Sequence, residues 1–414
     1  MDKVRIGIIG VGYRGMIHLQ NLLQRDDVII RAISDPNIDN LAKALSFIET
    51  RGEKKPNLYS ELNGYKHLLD KEKLDGVIVS VPWHLYYPIC KYALEKGIYV
   101  GVEAASAQTM EELYDLLETA QRFGGKCMLL ENACYHRDVM AVMNMIKDGL
   151  FGELVHCRGG YEHDLRSIKF SPEMEFGAGT QSEAAWRTEH SVRRNGDLYP
   201  THGVGPIAQL LDINRGNRFI SLSSYSTKSV GLNRYVAKHQ GGQHENAKRK
   251  FRLGDVVTTT LTTAKGETVV LTHNTNVARP YSLGFRVQGT DGIWIQENGN
   301  HLYLEHFGED NIWHADSKQL LEQFDHNLWQ RFGLAAAKTV RHEMDYFVLK
   351  EFVEAIQEER EPRFDIYDMV TWLSITPLSE RSIEQDNAKV AFPDFTEGKW
   401  QERISFYKEP SLTY

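Results

Sequence analysis

Residues 195–206 read "NGDLYPTHGVGP" and set a phenol and an imidazole three positions apart, Tyr199 and His202. A histidine exchanges protons near neutrality. A tyrosine hydroxyl joins that chemistry when a nearby cation lowers its pKa. A second phenol, Tyr161, lies in "GGYEHDL" (159–165), with His163 and Asp164 behind it. Glu103 closes the apolar run "IYVGVE" (98–103). Such a set is equipped for acid–base work.

Another motif is equipped for binding. "GVGYRG" (10–15) has the form GxGxxG, directly after the apolar run "VRIGIIG" and before a helical stretch. In that context Gly10 permits the tight turn, Gly12 lets backbone approach a pyrophosphate, and Gly15 lets helix pack on strand. Tyr13 and Arg14 occupy the intervening positions of the same turn, and the phosphates would sit on the helix N-terminus. Asp35, 25 residues after Gly10, ends the second strand. A carboxylate there accepts the ribose hydroxyls and repels a 2′-phosphate, so NAD is expected over NADP. "VPWH" (81–84) follows another strand, placing Pro82, Trp83 and His84 on the ligand edge, and Glu103 and Asn132 end later strands there. Glu103 there can orient a nicotinamide or a sugar hydroxyl. No HxxxH or HxH pair occurs among the 16 histidines, and no metal site is expected.

These residues need a frame. Apolar runs at 4–10, 28–35, 74–82, 98–103 and 126–132 alternate with helical spacings, which predicts a doubly wound parallel sheet of the Rossmann kind. Residues 50–57 read as a polar loop. Thr109 and Glu112 form a capping box at the start of a helix. After residue 150, alternating patterns and glycine turns predict an α+β domain with a large, mostly antiparallel sheet. Helices are expected at about 139–148, 203–213 and 339–358, the last with Met344, Phe347, Val348, Phe352 and Ile356 as a core stripe. Two domains follow, a NAD-binding one over 1–131 and a substrate-binding one over 132–414.

The chain has 414 residues, 42% hydrophobic and 25% charged, enough for two such domains. Its formal charge of −8 speaks against nucleic acid as a partner. No apolar run is long enough to span a membrane. The four cysteines (Cys90, Cys127, Cys134, Cys157) show no CxxC spacing and read as buried hydrophobes in a reducing compartment. A cytoplasmic location is expected, or a periplasmic one if a signal peptide has been removed.

The strand pattern at "GVEAAS" (101–106), with the antiparallel second half, resembles the glucose-fructose oxidoreductase/inositol dehydrogenase/MocA family. In its dehydrogenases this strand usually ends Glu-Lys-Pro, the lysine taking part in proton transfer. Here Glu103 is followed by Ala104 and Ala105, and alanine exchanges no proton. The nearer resemblance is to a branch of that fold, the NAD-dependent glycosidases of glycoside hydrolase family 109, known as α-N-acetylgalactosaminidases. It rests on Pro82-Trp83, Glu131-Asn132 with Cys134-Tyr135, "NGDLYPTHGVGP", "RPYSLGFRVQGTDG" (279–292) and "PDFTEGKW" (393–400). The departure is Ala104-Ala105 where that branch has Val-Pro.

The resemblance implies an unusual hydrolysis. Hydride leaves sugar C3 for NAD⁺, the C2 proton becomes acidic, the C1 oxygen is eliminated, water adds, and the hydride returns. It implies His202 as base at the C3 hydroxyl, Tyr161 as base at C2 and Tyr199 as a hydrogen-bond partner at C3, with the division of protons among these rings open. Tyr281, Trp186, Arg187 and Asn195 would line the sugar pocket. A homodimer through the C-terminal sheet is expected by analogy. The alternatives are a NAD-dependent sugar dehydrogenase of the wider family and a non-catalytic sugar sensor.

Overall fold

A computed structural model describes residues 3–104, 109–305, 307 and 311–408. Ala105 and Ser106 of the "GVEAAS" stretch lie outside the described residues. The chain divides into two compact units, Met1–Asn132 with Arg331–Thr371, and Ala133–Gln330 with Trp372–Tyr414.

The first unit alternates strand and helix: β1 (Val4–Ile9), α1 (Tyr13–Leu22), β2 (Val28–Ser34), α2 (Ile38–Thr50), β3 (Asn57–Tyr59), α3 (Gly64–Lys71), β4 (Gly76–Val79), α4 (Tyr86–Leu94), β5 (Tyr99–Val102), α5 (Met110–Phe123) and β6 (Cys127–Leu129). The strands form one parallel sheet in the order β3-β2-β1-β4-β5-β6. Ile6, Ile8, Val77, Ile78 and Val79 are wholly buried, which is why these strands are solid apolar runs. The order reverses between β1 and β4, and ligands of such sheets bind at the carboxyl ends there. The Thr109 side chain caps α5, accepting the Glu112 N–H at 3.2 Å. The loop expected over 50–57 runs into a short edge strand, β3, and α3 follows it.

The second unit contributes α6 (Arg137–Lys147), β7 (Leu154–Glu162), α7 (Arg166–Lys169), α8 (Arg187–Arg193), α9 (Thr201–Leu210), β8 (Phe219–Ser226), α10 (Gly231–Gln240), α11 (Glu245–Lys248), β9 (Val256–Thr263), β10 (Thr268–Asn274), β11 (Arg286–Gly289), β12 (Gly292–Gln296), β13 (Asn300–Leu304) and α12 (Ser317–Gln323). Helix α13 (Asn327–Ala336), helix α14 (Met344–Gln357), helix α15 (Ile366–Glu384) and strand β14 (Val390–Ala391) complete the chain. The sheet runs β13-β12-β11-β7-β10-β9-β8-β14, antiparallel except for the β7/β10 pair. One face carries Cys157, Val257, Leu261, Val269 and Leu271, all buried. The other leaves Val155, Ile220 and Tyr225 exposed.

Helix α14, carrying the core stripe read over 339–358, belongs to the first unit, whereas the sequence assigned all residues after 131 to the second. The reason is packing: Phe352 and Ile356 lie against Gly76 and Gly101 of β4 and β5.

Helix α9 approaches β7 more closely than side chains permit. A Cβ on Gly159 would stand 2.5 Å from the Gly203 oxygen, and one on Gly203 would stand 2.6 Å from the Gly160 nitrogen. Both distances are too short for real atoms, so glycine at 159 and 203 lets helix backbone rest on strand backbone. Tyr161 leaves that strand just beyond the crossing, and His202 leaves that helix just before it.

Candidate active site

The glycine-rich turn has the geometry its sequence predicts. Gly10 is left-handed at φ +84°. A Cβ on Gly15 would fall 1.9 Å from the Gly10 carbonyl oxygen, so the turn closes on helix α1 only with glycine there. Gly12 differs: a Cβ on it would meet no atom of the described residues within 4 Å. Protein packing does not require glycine at 12. A pyrophosphate laid against the backbone would require it, as in turns of this form. Gly12 also caps α1 without a side-chain hydrogen bond. Asp35, 6% exposed, accepts the Val11 N–H at 2.8 Å on one oxygen and the Asn37 N–H at 2.8 Å on the other.

Other expected cofactor residues join a charged network. Arg14 donates to both oxygens of Asp345, at 2.9 and 3.1 Å, and stands 3.2 Å from Glu103. Glu103 also pairs with His18 Nε2. Asn132 donates to Asp345 at 2.7 Å. Asp345, on the first turn of α14, thus ties the glycine turn to Asn132, three residues beyond β6, and nothing local in "HEMDYF" announces that role. Tyr13 is exposed, with the Arg341 guanidinium 4.7 Å above its ring. Trp83 is buried and follows Pro82, whereas His84 is exposed, and partial burial pulls its imidazole below the ordinary value.

In the second unit the structure gathers rings. Tyr161 stands 4.6 Å from Tyr199, 5.4 Å from His202 and 6.4 Å from Tyr281, centroid to centroid. Tyr199 and His202 are 5.0 Å apart. The Tyr161 hydroxyl and His163 Nδ1 are 3.2 Å apart. Helix α9 begins at Thr201 with Pro200 as its cap, so His202 lies in the first turn.

The half-buried Arg187 guanidinium lies 5.6 Å over the Tyr199 ring and 5.2 Å over Trp186. Burial opposes its charge, but Glu183, Tyr161 and Tyr199 outweigh that and hold it above the usual value. Asn195 is used otherwise: its carbonyl oxygen accepts Ser226 Oγ at 2.7 Å and the Gly254 N–H at 3.1 Å, bracing the loop.

Sequence reasoning passed over three buried neighbours. Asp197 accepts the Tyr199 N–H at 3.1 Å, while its own N–H donates to Ser379 at 2.9 Å. Burial pushes its carboxyl up to about 7, against that one N–H. Lys169 donates to Thr275 at 2.9 Å, Asn276 at 2.5 Å and Ser191 at 3.3 Å. Burial, then the Arg187 charge, pushes its ammonium down to about 7. His273 is the third. Among the described residues, no group of three or more His, Cys, Asp or Glu could hold a metal ion.

Two family descriptions match. "Glycosyl hydrolase 109, C-terminal domain" covers residues 135–402, and "Oxidoreductase family, NAD-binding Rossmann fold" covers 4–130. The chain belongs to glycosyl hydrolase family 109. A "Glycosyl hydrolase family 109 protein" of Stenotrophomonas maltophilia (strain K279a) is 44% identical over 97% of this chain and 91% of that protein. An "Alpha-N-acetylgalactosaminidase" of Tannerella forsythia is 42% identical over 97% of this chain and 88% of that one. The solved structure of levoglucosan dehydrogenase with NADH and L-sorbose shares the fold, with a TM-score of 0.72 at 18% identity over 95% of this chain and all of that one. This family 109 glycosidase carries a NAD-binding Rossmann domain at its N-terminus. None of its described helices is long and apolar enough to cross a membrane.

Proposed function

We propose that this family 109 chain hydrolyses terminal α-N-acetylgalactosaminides with tightly held NAD, Tyr161, Tyr199 and His202 handling the protons. The observation that carries the reading is the ring cluster itself: three ionisable rings within 4.6–5.4 Å of one another in a chain that also carries a NAD-binding domain. The relative named for this substrate supports the choice of sugar.

The Gly10–Gly15 turn, Asp35, Glu103 and Asn132 would hold NAD, which when bound takes hydride from sugar C3 and later returns it. His202 accepts the C3 hydroxyl proton. Tyr161 removes the proton at C2. The electron pair of that C–H bond becomes the C1–C2 double bond, and the aglycone leaves C1 with its bonding pair. Water then adds at C1 and its proton passes to the departed aglycone oxygen, Tyr161 returns a proton to C2, and His202 returns one to the C3 oxygen. Neighbouring sugar carbons need two bases within about one ring's width, and the 5.4 Å between Tyr161 and His202 supplies it. Tyr199 hydrogen-bonds at C3. Trp186 and Tyr281 offer faces to the sugar. Ala104, buried where the dehydrogenases of the wider fold carry lysine, supplies no proton, which weighs against net oxidation of a free sugar.

The test is to incubate the protein with p-nitrophenyl α-N-acetylgalactosaminide. Nitrophenol should appear without accumulation of NADH, and reaction in D₂O should place deuterium at C2 of the released sugar. Steady NADH formation from a free sugar would establish a dehydrogenase instead, and an unlabelled C2 would exclude elimination. The open face of the eight-stranded sheet, with Val155, Ile220 and Tyr225 exposed, is the surface on which a second copy would sit. Light scattering should then give twice the 47.4 kDa chain mass.

A further inference from the structure

Strand β10 ends in Thr272-His273-Asn274, and it runs parallel to β7. His273 is the register partner of Tyr161 on one side and of Val257 on the other. Paired residues on neighbouring strands project to the same face, about 4.8 Å apart. His273 therefore stands beside Tyr161 on the face that α9 covers. It is 3% exposed, yet its Nδ1 has no hydrogen-bond partner among the described residues. Leaving a buried polar nitrogen unpaired costs roughly 1–3 kcal/mol, so native structures rarely do it without a ligand or water to complete the bond.

The surroundings decide what that nitrogen can take. Burial first, then the Lys169 and Arg187 charges, keep the ring neutral well below its ordinary titration range. A neutral imidazole offers one donor and one acceptor. Lys169 is not the missing partner, because its ammonium is committed to Ser191, Thr275 and Asn276. Val257 offers only methyl groups. What remains is whatever lies against Tyr161.

We propose that His273 is a substrate-binding residue of this site, its Nδ1 linked through one bound water to a hydroxyl or the acetamido N–H of a glycoside held against Tyr161. The assignment rests on the glycosidase reading of that face. It makes His273 a determinant of KM rather than of the chemical step.

The test uses the full chain and p-nitrophenyl α-N-acetylgalactosaminide. His273→Phe keeps the ring's bulk and removes both nitrogens. It should raise KM about 10–100-fold with kcat, NAD content and Tm close to the parent's, the loss of one buried hydrogen bond. His273→Asn restores an amide near Nδ1 and should recover most of the affinity. An unchanged KM in His273→Phe, or a loss that tracks a fall in Tm and is not recovered by asparagine, would overturn the proposal. A second measurement needs no foldable variant of high activity. Titrating the unsubstituted protein with free N-acetylgalactosamine should shift the histidine NMR resonance that His273→Asn removes, and a resonance that stays still overturns the assignment. If the parent releases no nitrophenol, the glycosidase reading falls, and the sugar titration still decides His273.

Discussion

Around Gly10–Gly15 the charged side chains bind one another: Arg14 with Asp345 and Glu103, Glu103 with His18, Asp35 with two backbone N–H groups. Around Tyr161 the side chains are rings packed on rings, one cation is spread over two aromatic faces, and a buried imidazole nitrogen has no partner among the described residues. In the first region the charged side chains hold the glycine turn in place. The second gathers ionisable rings, the groups proposed above for proton transfer and recognition. A cofactor that must stay suits the former, and a substrate that must come and go suits the latter.

The comparison is sharpened by substitutions on each side. The largest effect belongs to the rings. His202→Ala and Tyr161→Phe should each lower kcat about 10²–10⁴-fold while NAD content after purification stays at the parent level. Near-normal rates in both would break the division of labour. Next come the turn's glycines. Gly12→Ala should fold with the parent's Tm, because its methyl group meets no atom of the described residues within 4 Å, yet bind NAD about 10–100-fold more weakly in a fluorescence titration. Gly15→Ala should fail to give soluble protein, since its methyl group collides with the Gly10 oxygen. Equal behaviour of the two would mean that packing, not ligand approach, selects Gly12.

A smaller effect is expected from pH. Lys169 titrates near 7 in the folded chain against 10.5 when free, so between those values the unfolded chain binds more protons and stability rises with pH. Below about 7 both states are protonated and the full burial cost remains. Lys169→Met removes this contribution, and its Tm should climb less than the parent's between pH 7 and 9.5. The smallest effect is in thiol labelling. All four cysteines are buried, and burial pushes the Cys90 thiol up to about 12, so the native protein should react with a thiol reagent only at its unfolding rate.

Much of this was legible in the residues, for local reasons. Strands buried on both faces must be solid apolar runs, and β1, β2, β4, β5 and β6 read that way. The GxGxxG turn and the Thr109 cap depend on neighbours in sequence. Strand β3 escaped notice because it has three residues, exposed or half-buried. Helix α15 gave no period to read, being buried on nearly every side and interrupted by Pro377. Tyr161, Tyr199 and His202 could be named from their stretches, but their meeting depends on Gly159 facing Gly203, residues more than 40 apart in sequence. Asp345, Asp197, Lys169 and His273 carry no local mark, because what distinguishes each is its burial and its partners.

The backbone-on-backbone crossing of α9 and β7 has a practical consequence for redesign. Since no side chain separates the two elements, the span from Tyr161 to His202 is fixed by the main chain alone. Residues lining the surrounding wall, such as Trp186 or Tyr281, can be randomised to admit other sugars without altering that span. Selection for new specificity can begin from an intact Tyr161–His202 pair, with Gly159 and Gly203 the two positions a library must leave alone.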